Sequence, residues 1–332
     1  MESTKAQKGM VKSMNIVTIK RNYKNPQVIR SKTIAAVVWI GRWLFIIGLC
    51  YLFLFPLLFL FSTAFQDVSS VNDPSIIWIP KKLSLTTMKE TIEILDYWRS
   101  AGLTLLISVG STLCTLVSCS LVGYGFARFK FFGKNILFAL VVLTILIPPQ
   151  TILPSMVLNF QFFDFGGVTS LFGGQSINLL NTPWTFILPS LFGTGLRSGL
   201  FIFIFRQFFM RMSKSLEEAA RIDGCGAFKT FIQIMVPMAV PTFVTVTLFS
   251  FTWHWNDYYS AAMYFVDGVR PLMPNLSNLK VLLSLADTGV SGYAARTYMA
   301  AAPLLTILPP LILYLCTQRY FTESIERAGI VG

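Results

Sequence analysis

Histidine is nearly missing from this sequence: among 332 residues, only His254 carries an imidazole. One histidine excludes a cluster of imidazole metal ligands, and it excludes the HExxH pattern, which needs two histidines on one helix face. It also argues against a Ser–His hydrolase inside a membrane, which needs a base beside its nucleophile. We therefore expect no metal, no cofactor and no catalytic residue in this chain.

A nucleotide-binding loop is absent as well. No stretch matches Gly-x4-Gly-Lys-Ser/Thr, the pattern whose backbone N–H groups and lysine hold nucleotide phosphates. The five cysteines fall in predicted membrane spans or in the segment that follows span 4, so no disulfide is expected. The first 32 residues are polar and basic, which argues against a cleavable signal peptide. Any work driven by ATP must therefore come from another protein.

Long apolar runs dominate what is present. Hydrophobic residues make up 54% of the chain and charged residues only 13%. The runs predict an all-α polytopic membrane protein with six transmembrane helices. The predicted spans are 43–65, 103–126, 136–156, 184–205, 231–253 and 298–316. Between and beside them lie a basic arm at 1–32, outer loops at 66–102 and 254–297, an inner loop at 206–230 and a tail at 318–332.

The basic residues collect on one side of these spans. The inner segments hold 18 Lys and Arg against 6 Asp and Glu, whereas the outer segments hold 7 against 9. Cytoplasmic loops of membrane proteins carry such an excess of Lys and Arg, so both termini are predicted to be cytoplasmic. The net charge of +12 therefore reflects topology, and no nucleic-acid partner is expected.

Prolines occur in several of the predicted spans, and those in spans 3 and 5 are the candidate hinges. Pro148 and Pro149 stand towards the outer end of span 3, and Pro237 stands near the start of span 5. Proline inside a helix removes a backbone hydrogen bond, and broken backbone at membrane depth is tolerated only where protein or a water-filled cavity surrounds it. We predict kinks or hinges at these three prolines and, beside span 3, a cavity.

Arg197 lies near the middle of span 4, where a charge costs about 2.5–3.5 kcal/mol on insertion scales. It is either part of a polar path or, in the interpretation we favour, lies in a glycine-rich break and pairs with a partner subunit. Trp255 and Asn256, at the outer end of span 5, are further candidates for the path or a subunit contact. His254 between two tryptophans is predicted to lie at the membrane interface.

The short polar stretch after span 4 predicts a helix over 215–224. Ser215 and Glu218 have the spacing of a capping box, and Gly224 is a natural helix stop. A helix of about eight residues is too short to be stable alone in water. Small residues beside charges of both signs suit a helix that enters a groove on another protein.

This stretch resembles the EAA motif of ABC-importer permeases. The motif is carried by Glu218-Ala219-Ala220, three residues, Gly224, nine residues, Ile234, two residues and Pro237. The string from Leu216 to Gly224 is most similar to the MalG-type subunits of carbohydrate importers, as is Trp255-Asn256-Asp257. The resemblance implies that the helix docks in a cleft of the ATPase through these residues: Leu216, Glu217, Glu218, Ala219, Ala220, Asp223 and Gly224.

The same resemblance implies the rest of the assembly. It implies a MetI-like permease core over 103–317 in a bacterial plasma membrane, without catalytic activity of its own. It implies four partners: a second, MalF-like permease, a pair of cytoplasmic ATPases, and an extracytoplasmic solute-binding protein that is either lipid-anchored or free. The implied cargo is a sugar or oligosaccharide.

Three alternatives stay open from sequence. One is a permease of the same family for a non-sugar solute, and another is a membrane-embedded enzyme. The third is a stand-alone secondary transporter, a class that usually carries ionisable residues inside its spans and two repeated halves. Here only Arg197 lies in mid-span and no span has a central acid, which favours the importer permease.

Overall fold

The structure is a computed structural model that describes residues 26–67, 83–167, 174–285 and 295–329. Most of the predicted basic arm, the middle of the loop at 66–102, part of the loop at 254–297 and the last three residues lie outside the described ranges. The chain divides into two units, Met1–Phe61 and Ser62–Gly332.

The first unit contributes a single long helix, α1 (Pro26–Ala64), which runs through Pro56. Its stretch Thr33–Ala64 is long and apolar enough to cross a membrane, and none of its most apolar part is buried. The helix begins well before Trp43, the predicted start of span 1, so residues 26–32 are helical rather than part of an irregular arm. No glycine or proline between residues 27 and 40 stops the helix from extending in this direction.

The second unit is a bundle of helices, with no strand beyond two isolated bridges in the ranges described. Its helices are α2 (Thr86–Ile94), α3 (Tyr97–Arg128), α4 (Lys134–Leu146), α5 (Pro149–Gln161), α6 (Trp184–Leu191), α7 (Ser198–Arg211), α8 (Ser215–Ile222), α9 (Ala227–Thr230), a π-helical turn (Phe231–Met235), α10 (Val236–Met238), α11 (Val240–Trp255), α12 (Tyr259–Tyr264), α13 (Leu272–Ser277), α14 (Leu279–Leu285) and α15 (Ala295–Gly329).

Three helices are long and apolar enough to cross a membrane: α1, α3 and α15. Two further spans arise if each bent pair is one span. The first pair, α4 and α5, bends by 101° at Ile147 and Pro148; the second, Ala227–Met238 and α11, bends by 78° at Ala239. The first bend falls at the predicted Pro148 and Pro149, and the second lies at Ala239, between Pro241 and the predicted Pro237. Proline cannot donate the hydrogen bond that a continuous helix needs.

The predicted span over 184–205 is interrupted. α6 ends at Leu191 and α7 begins at Ser198, so neither piece alone is long enough to cross a membrane. The turn between them closes on Pro189, whose carbonyl accepts bonds from the backbone N–H of Thr194 at 2.9 Å and from its hydroxyl at 3.2 Å. Arg197 precedes α7 with a φ of 59°, a left-handed conformation that ends any continuous helix here.

Helix α3 is the centre of this bundle, and it packs against α6, α7 and α11. Its serines and threonines are buried, so they serve the packing of α3 against its neighbours. Thr112 donates to the Ser250 hydroxyl on α11 at 3.1 Å, and Ser118 donates to the Ser190 carbonyl on α6 at 2.7 Å. Small residues let helix backbones approach closely where lipid leaves no hydrophobic gain for association.

The closest approach, between α3 and α7, makes Gly123→Ala a test of this packing. An added Cβ would lie 2.7 Å from the Phe205 Cβ and 3.0 Å from the Arg206 backbone nitrogen, neither of which can move without shifting α7. Overpacking of this kind costs about 1–3 kcal/mol. We expect the detergent-solubilised protein to unfold at a lower temperature, measured by thermal-shift size-exclusion chromatography.

Gly125→Ala is the matched control, since its Cβ would meet only the edge of Phe129 at 3.9 Å. The control is expected to leave the unfolding temperature unchanged or to raise it slightly, because Ala favours a helix over Gly. Equal unfolding temperatures for the two variants would show that α3 and α7 do not approach as closely as the structure has them.

Candidate coupling helix and cavity

The polar helix predicted over 215–224 is α8 (Ser215–Ile222), and it starts differently from the prediction. Lys214 is the capping residue, and its carbonyl accepts bonds from the N–H groups of Glu217 and Glu218 at 3.0 and 3.1 Å. No side chain caps this end, so the predicted capping box is wrong. The reason is register: Ser215 already lies in the first turn, and its hydroxyl contacts that of Ser213 at 2.7 Å.

The other end of α8 is as predicted. Gly224 adopts a φ of 77°, and its N–H bonds to the Arg221 carbonyl at 3.0 Å. The N–H of Cys225 bonds to the Ala220 carbonyl at 2.8 Å. This pair of bonds is the Schellman motif, in which a glycine just after the helix takes the left-handed conformation. The stop directs the chain sharply into α9.

The two faces of α8 differ in exposure. Glu217 and Ala220, three residues apart on one face, are buried in this chain, and Leu216 is half-buried. The opposite face is open, and its exposed residues are Glu218, Ala219, Arg221, Ile222 and Asp223. Two members of the predicted docking set, Glu217 and Ala220, are therefore turned into their own protein, and the open face includes Arg221 and Ile222, which the prediction left out.

A buried ion pair attaches α8 to the end of α3. The Arg128 Nε lies 3.0 Å from the Glu217 Oε1, with the two side chains only 5% and 11% exposed. The Nε–H is not aligned on the carboxylate, so this contact is electrostatic rather than a hydrogen bond. The Nη2 of Arg128 also donates to the Met212 carbonyl at 2.8 Å. One guanidinium thus ties α3 both to the end of α7 and to α8.

Tyr124, one helical turn before Arg128, completes the attachment. Its hydroxyl donates to the Glu217 Oε1 at 3.3 Å, and its ring packs against those of Phe209 and Phe231 at 5.5 and 5.0 Å. Sequence reasoning did not find this triad, since nothing in one sequence pairs residues 93 positions apart. The sequence feature that could have indicated it is the spacing of Tyr124 and Arg128, an aromatic residue and a cation that lie four residues apart at the end of α3.

The three prolines predicted as hinges lie at or beside two separate breaks in the helices. Pro148 and Pro149 form the bend between α4 and α5, and Pro237 lies in α10, between the π-helical turn and the bend at Ala239. The Ala239 N–H is shared by the carbonyls of Met235 and Val236, both at 3.0 Å. Irregular backbone of this kind divides the route from α8 to α11 into short rigid pieces.

A cavity of about 570 Å³ lies between α4, α5, α6 and α7, beside the bend at Pro148. Most of its wall is apolar, but one end carries polar side chains: Arg197, His254, Asp257, Ser260 and Tyr264. A second, smaller cavity of about 100 Å³ shares Arg197, Asp257 and Ser260 with it. The position beside the broken helix is the one from which sequence predicted a cavity.

His254 is buried and only 4% exposed, so the prediction that it lies at the membrane interface is wrong. Its Nδ1 lies 2.7 Å from the Ser250 carbonyl, which can only accept and therefore fixes the proton on that nitrogen. The N–H of Ser260 donates to the Asp257 Oδ1 at 3.1 Å. Burial holds the pKa of the Asp257 carboxyl above its ordinary value, and hydrogen bonds from Ser260 and Tyr259 only partly oppose this rise.

The three candidates for a path or subunit contact separate in the structure. Arg197 is exposed and lines the cavity, with its guanidinium 5.3 Å from the ring centre of Trp253. Trp255 is 1% exposed, and its indole N–H donates to the Thr306 carbonyl at 3.0 Å, so it fastens α11 to α15 instead of lying at the membrane interface. Asn256 is exposed and lines neither cavity.

The family of the chain follows from comparison with known proteins. Residues 120–327 match the family model described as "Binding-protein-dependent transport system inner membrane component". This range includes the end of α3, the coupling helix α8 and the cavity. The chain belongs to this family. The resemblance drawn from the EAA motif is thereby confirmed, and the permease assignment places the chain in a membrane.

Three curated relatives cover most of the chain. The polygalacturonan/rhamnogalacturonan transport system permease YtcP of Bacillus subtilis is 25% identical over 83% of this chain and 92% of its own length. The arabinooligosaccharides transport system permease AraQ of Halalkalibacterium halodurans is 27% identical over 87% and 96%. The osmoprotective compounds uptake permease GgtD of a Synechocystis species is 26% identical over 86% and 90%.

A solved structure shares the fold. A chain from a bacterial ABC transporter that imports the acidic polysaccharide alginate superposes with a TM-score of 0.69 at 21% identity, covering 88% of this permease and 98% of that chain. At this identity the likeness shows the fold alone. The permease thus has the MetI-like fold that the sequence predicted, and its family supplies the membrane component of transport systems whose ATPases are separate chains.

Proposed function

We propose that this permease imports a saccharide together with a second, MalF-like permease, two cytoplasmic ATPases and an extracytoplasmic solute-binding protein. The observation that carries the mechanism is α8, which is anchored to α3 by the buried Glu217 and presents an open face of mixed charge. The named cargoes of two relatives, polygalacturonan or rhamnogalacturonan and arabinooligosaccharides, support the choice of cargo. A non-sugar solute is the second candidate, because the relative for osmoprotective compounds has a name that is not limited to sugars.

The proposal includes an orientation with both termini and α8 in the cytoplasm. The excess of Lys and Arg in the segments assigned inside supports it, since this excess sets the orientation of most multi-pass proteins. The proposal also counts α6 and α7 together as one interrupted span, which brings the number of spans to six. Broken helices of this kind occur where they line a cavity, and α6 and α7 do line one.

In this proposal the ATPases act on the cavity through α3. When nucleotide binding closes the ATPase pair, the cleft that holds α8 moves, and Glu217 passes the displacement to Arg128 and Tyr124. Helix α3 packs along α6, α7 and α11, so these helices move with it as one body. The bends at Pro148 and Ala239 allow the remaining pieces to lag behind, which switches access to the cavity between the two sides.

Uptake by the reconstituted transporter tests the proposal. The two permeases, their ATPases and their binding protein are purified as a complex and placed in vesicles with radiolabelled arabinotriose, trigalacturonate or glycine betaine. We expect uptake of at least one trisaccharide to exceed, by about tenfold or more, that of vesicles with a non-hydrolysing ATPase variant, a difference of about 1.4 kcal/mol in barrier.

The other outcomes separate the candidates. ATP-dependent uptake of glycine betaine without either trisaccharide would favour the non-sugar permease. Uptake that persists in vesicles lacking the ATPase would contradict an ATP-driven importer and favour a stand-alone secondary transporter. Failure of the ATPase to co-purify with the permeases would count against α8 as its docking element.

A further inference from the structure

We propose that the polar end of the cavity binds hydroxyl groups of the cargo, so that this subunit itself contacts the transported saccharide. The inference rests on the proposed function for the identity of the cargo. It names a binding site made of His254, Asp257 and Tyr264, at the end of the cavity away from Phe126 and Leu137.

Two hydrogen-bond acceptors at this end have no partner among the residues that the structure describes. One is the Nε2 of His254, and the other is the Oδ2 of Asp257; both atoms are buried. The proton of a neutral His254 is held on Nδ1 by the Ser250 carbonyl, so Nε2 offers a lone pair. An unpartnered buried acceptor costs about 1–3 kcal/mol, so a bound molecule that donates to both acceptors would remove that cost.

The geometry of the two acceptors suits a polyol. His254 lies in the last turn of α11 and Asp257 lies two residues beyond its end, and both residues line the same cavity. A sugar presents hydroxyl donors on neighbouring carbons, and each can donate to one of the two acceptors.

Aromatic rings beside the acceptors supply the second half of a saccharide site. Tyr264 lies edge-on to Phe160 at 5.1 Å and to Phe186 at 5.4 Å, and all three side chains line the cavity. Mostly apolar walls with a few convergent polar groups are the usual make-up of a small-molecule site, and about 300–1,000 Å³ is the usual size. The cavity of about 570 Å³ falls within it.

Two variants test the site in the reconstituted transporter. His254→Phe keeps a ring of similar shape and removes the Nε2 acceptor; Asp257→Asn keeps the shape and removes the carboxylate. Each is expected to raise the KM for the trisaccharide that wild-type vesicles take up by about tenfold, while the maximal rate and basal ATP hydrolysis stay within about twofold. Asp267→Asn, at an exposed acid that lines none of the cavities described, is the matched control.

The outcomes separate cargo binding from other uses of the cavity. An unchanged KM in both variants would overturn the inference and assign the cavity to ordered water or lipid, as would a fall in maximal rate alone. If neither variant assembles, Tyr264→Phe decides instead: it keeps the ring and removes one hydroxyl, and an unchanged KM overturns the inference. Absence of trisaccharide uptake in the wild type would instead refute the proposed function.

Discussion

Arg128→Ala is expected to lower ATP-driven uptake by about tenfold or more and to reduce the yield of assembled transporter. The substitution leaves the Glu217 carboxylate buried without its cation, and removing one partner of a buried ion pair costs about 3–5 kcal/mol. It also removes the bond to the Met212 carbonyl that ties the end of α7 to α3. Uptake and ATP hydrolysis, measured on the same vesicles, are expected to separate, with hydrolysis falling less than transport.

The double variant Arg128→Ala with Glu217→Gln distinguishes coupling from simple instability. Glutamine keeps the shape of Glu217 without a charge, so the double variant contains no lone buried carboxylate and is expected to assemble better than Arg128→Ala. Uptake should nevertheless stay low, because the attachment between α3 and α8 is still broken. Lys280→Ala, at an exposed cation on α14 in the loop assigned to the outside, is the control for charge. Wild-type uptake by the double variant would refute the role of the pair in transmission.

Glu218→Lys, on the open face of α8, is expected to abolish binding of the ATPase without harming the permease. Its side chain is exposed, so reversing its charge leaves the packing of this chain intact, and membrane insertion and unfolding temperature should match the wild type. A like charge placed in a complementary interface costs several kcal/mol, which predicts a loss of uptake of about tenfold or more. Co-purification of the ATPase and uptake are the two measurements.

Glu93→Lys provides the matched control, because it reverses an exposed acid on α2, in a loop assigned to the outside. It is expected to leave ATPase co-purification unchanged. Full ATP-driven uptake by the Glu218→Lys variant would mean that the ATPase does not bind to this face of α8. In that case the partially exposed surface formed by Cys225 and Phe228 would be the next candidate, since the Phe228 ring is 67% exposed.

Local features of the coupling helix were predictable from sequence, and its attachment was not. The stop at Gly224 follows from the conformational freedom of one residue, and the bends at Pro148 and beside Pro237 follow from the N–H groups that prolines lack. The pairing of Glu217 with Arg128 depends on how α3 and α8 pack, which no local rule encodes. The capping box failed for a related reason: a shift of one residue in where the helix starts cancels it.

The burial of His254 and Trp255 was missed because composition alone cannot separate two situations. Aromatic residues at the end of an apolar span suit the lipid headgroup region, but they suit equally well a groove between two helices. The Trp255 indole N–H donates to the Thr306 carbonyl of α15, and the His254 Nδ1 lies against the Ser250 carbonyl one turn earlier in α11. The apolar runs themselves predicted the helices well, except where the turn at Pro189 and Thr194 divides 184–205.

The four-residue separation of Tyr124 and Arg128 has a consequence for chain length. Each residue of an α-helix advances by about 100°, so one residue inserted between them would swing the guanidinium to another side of α3. Substitutions on the side of this turn that faces away from α8 leave the pair intact, whereas an insertion or a deletion in the turn disrupts it. Any descendant of this permease that keeps the buried carboxylate on α8 is therefore bound to keep the count of residues in the last turn of α3, however far its other positions drift.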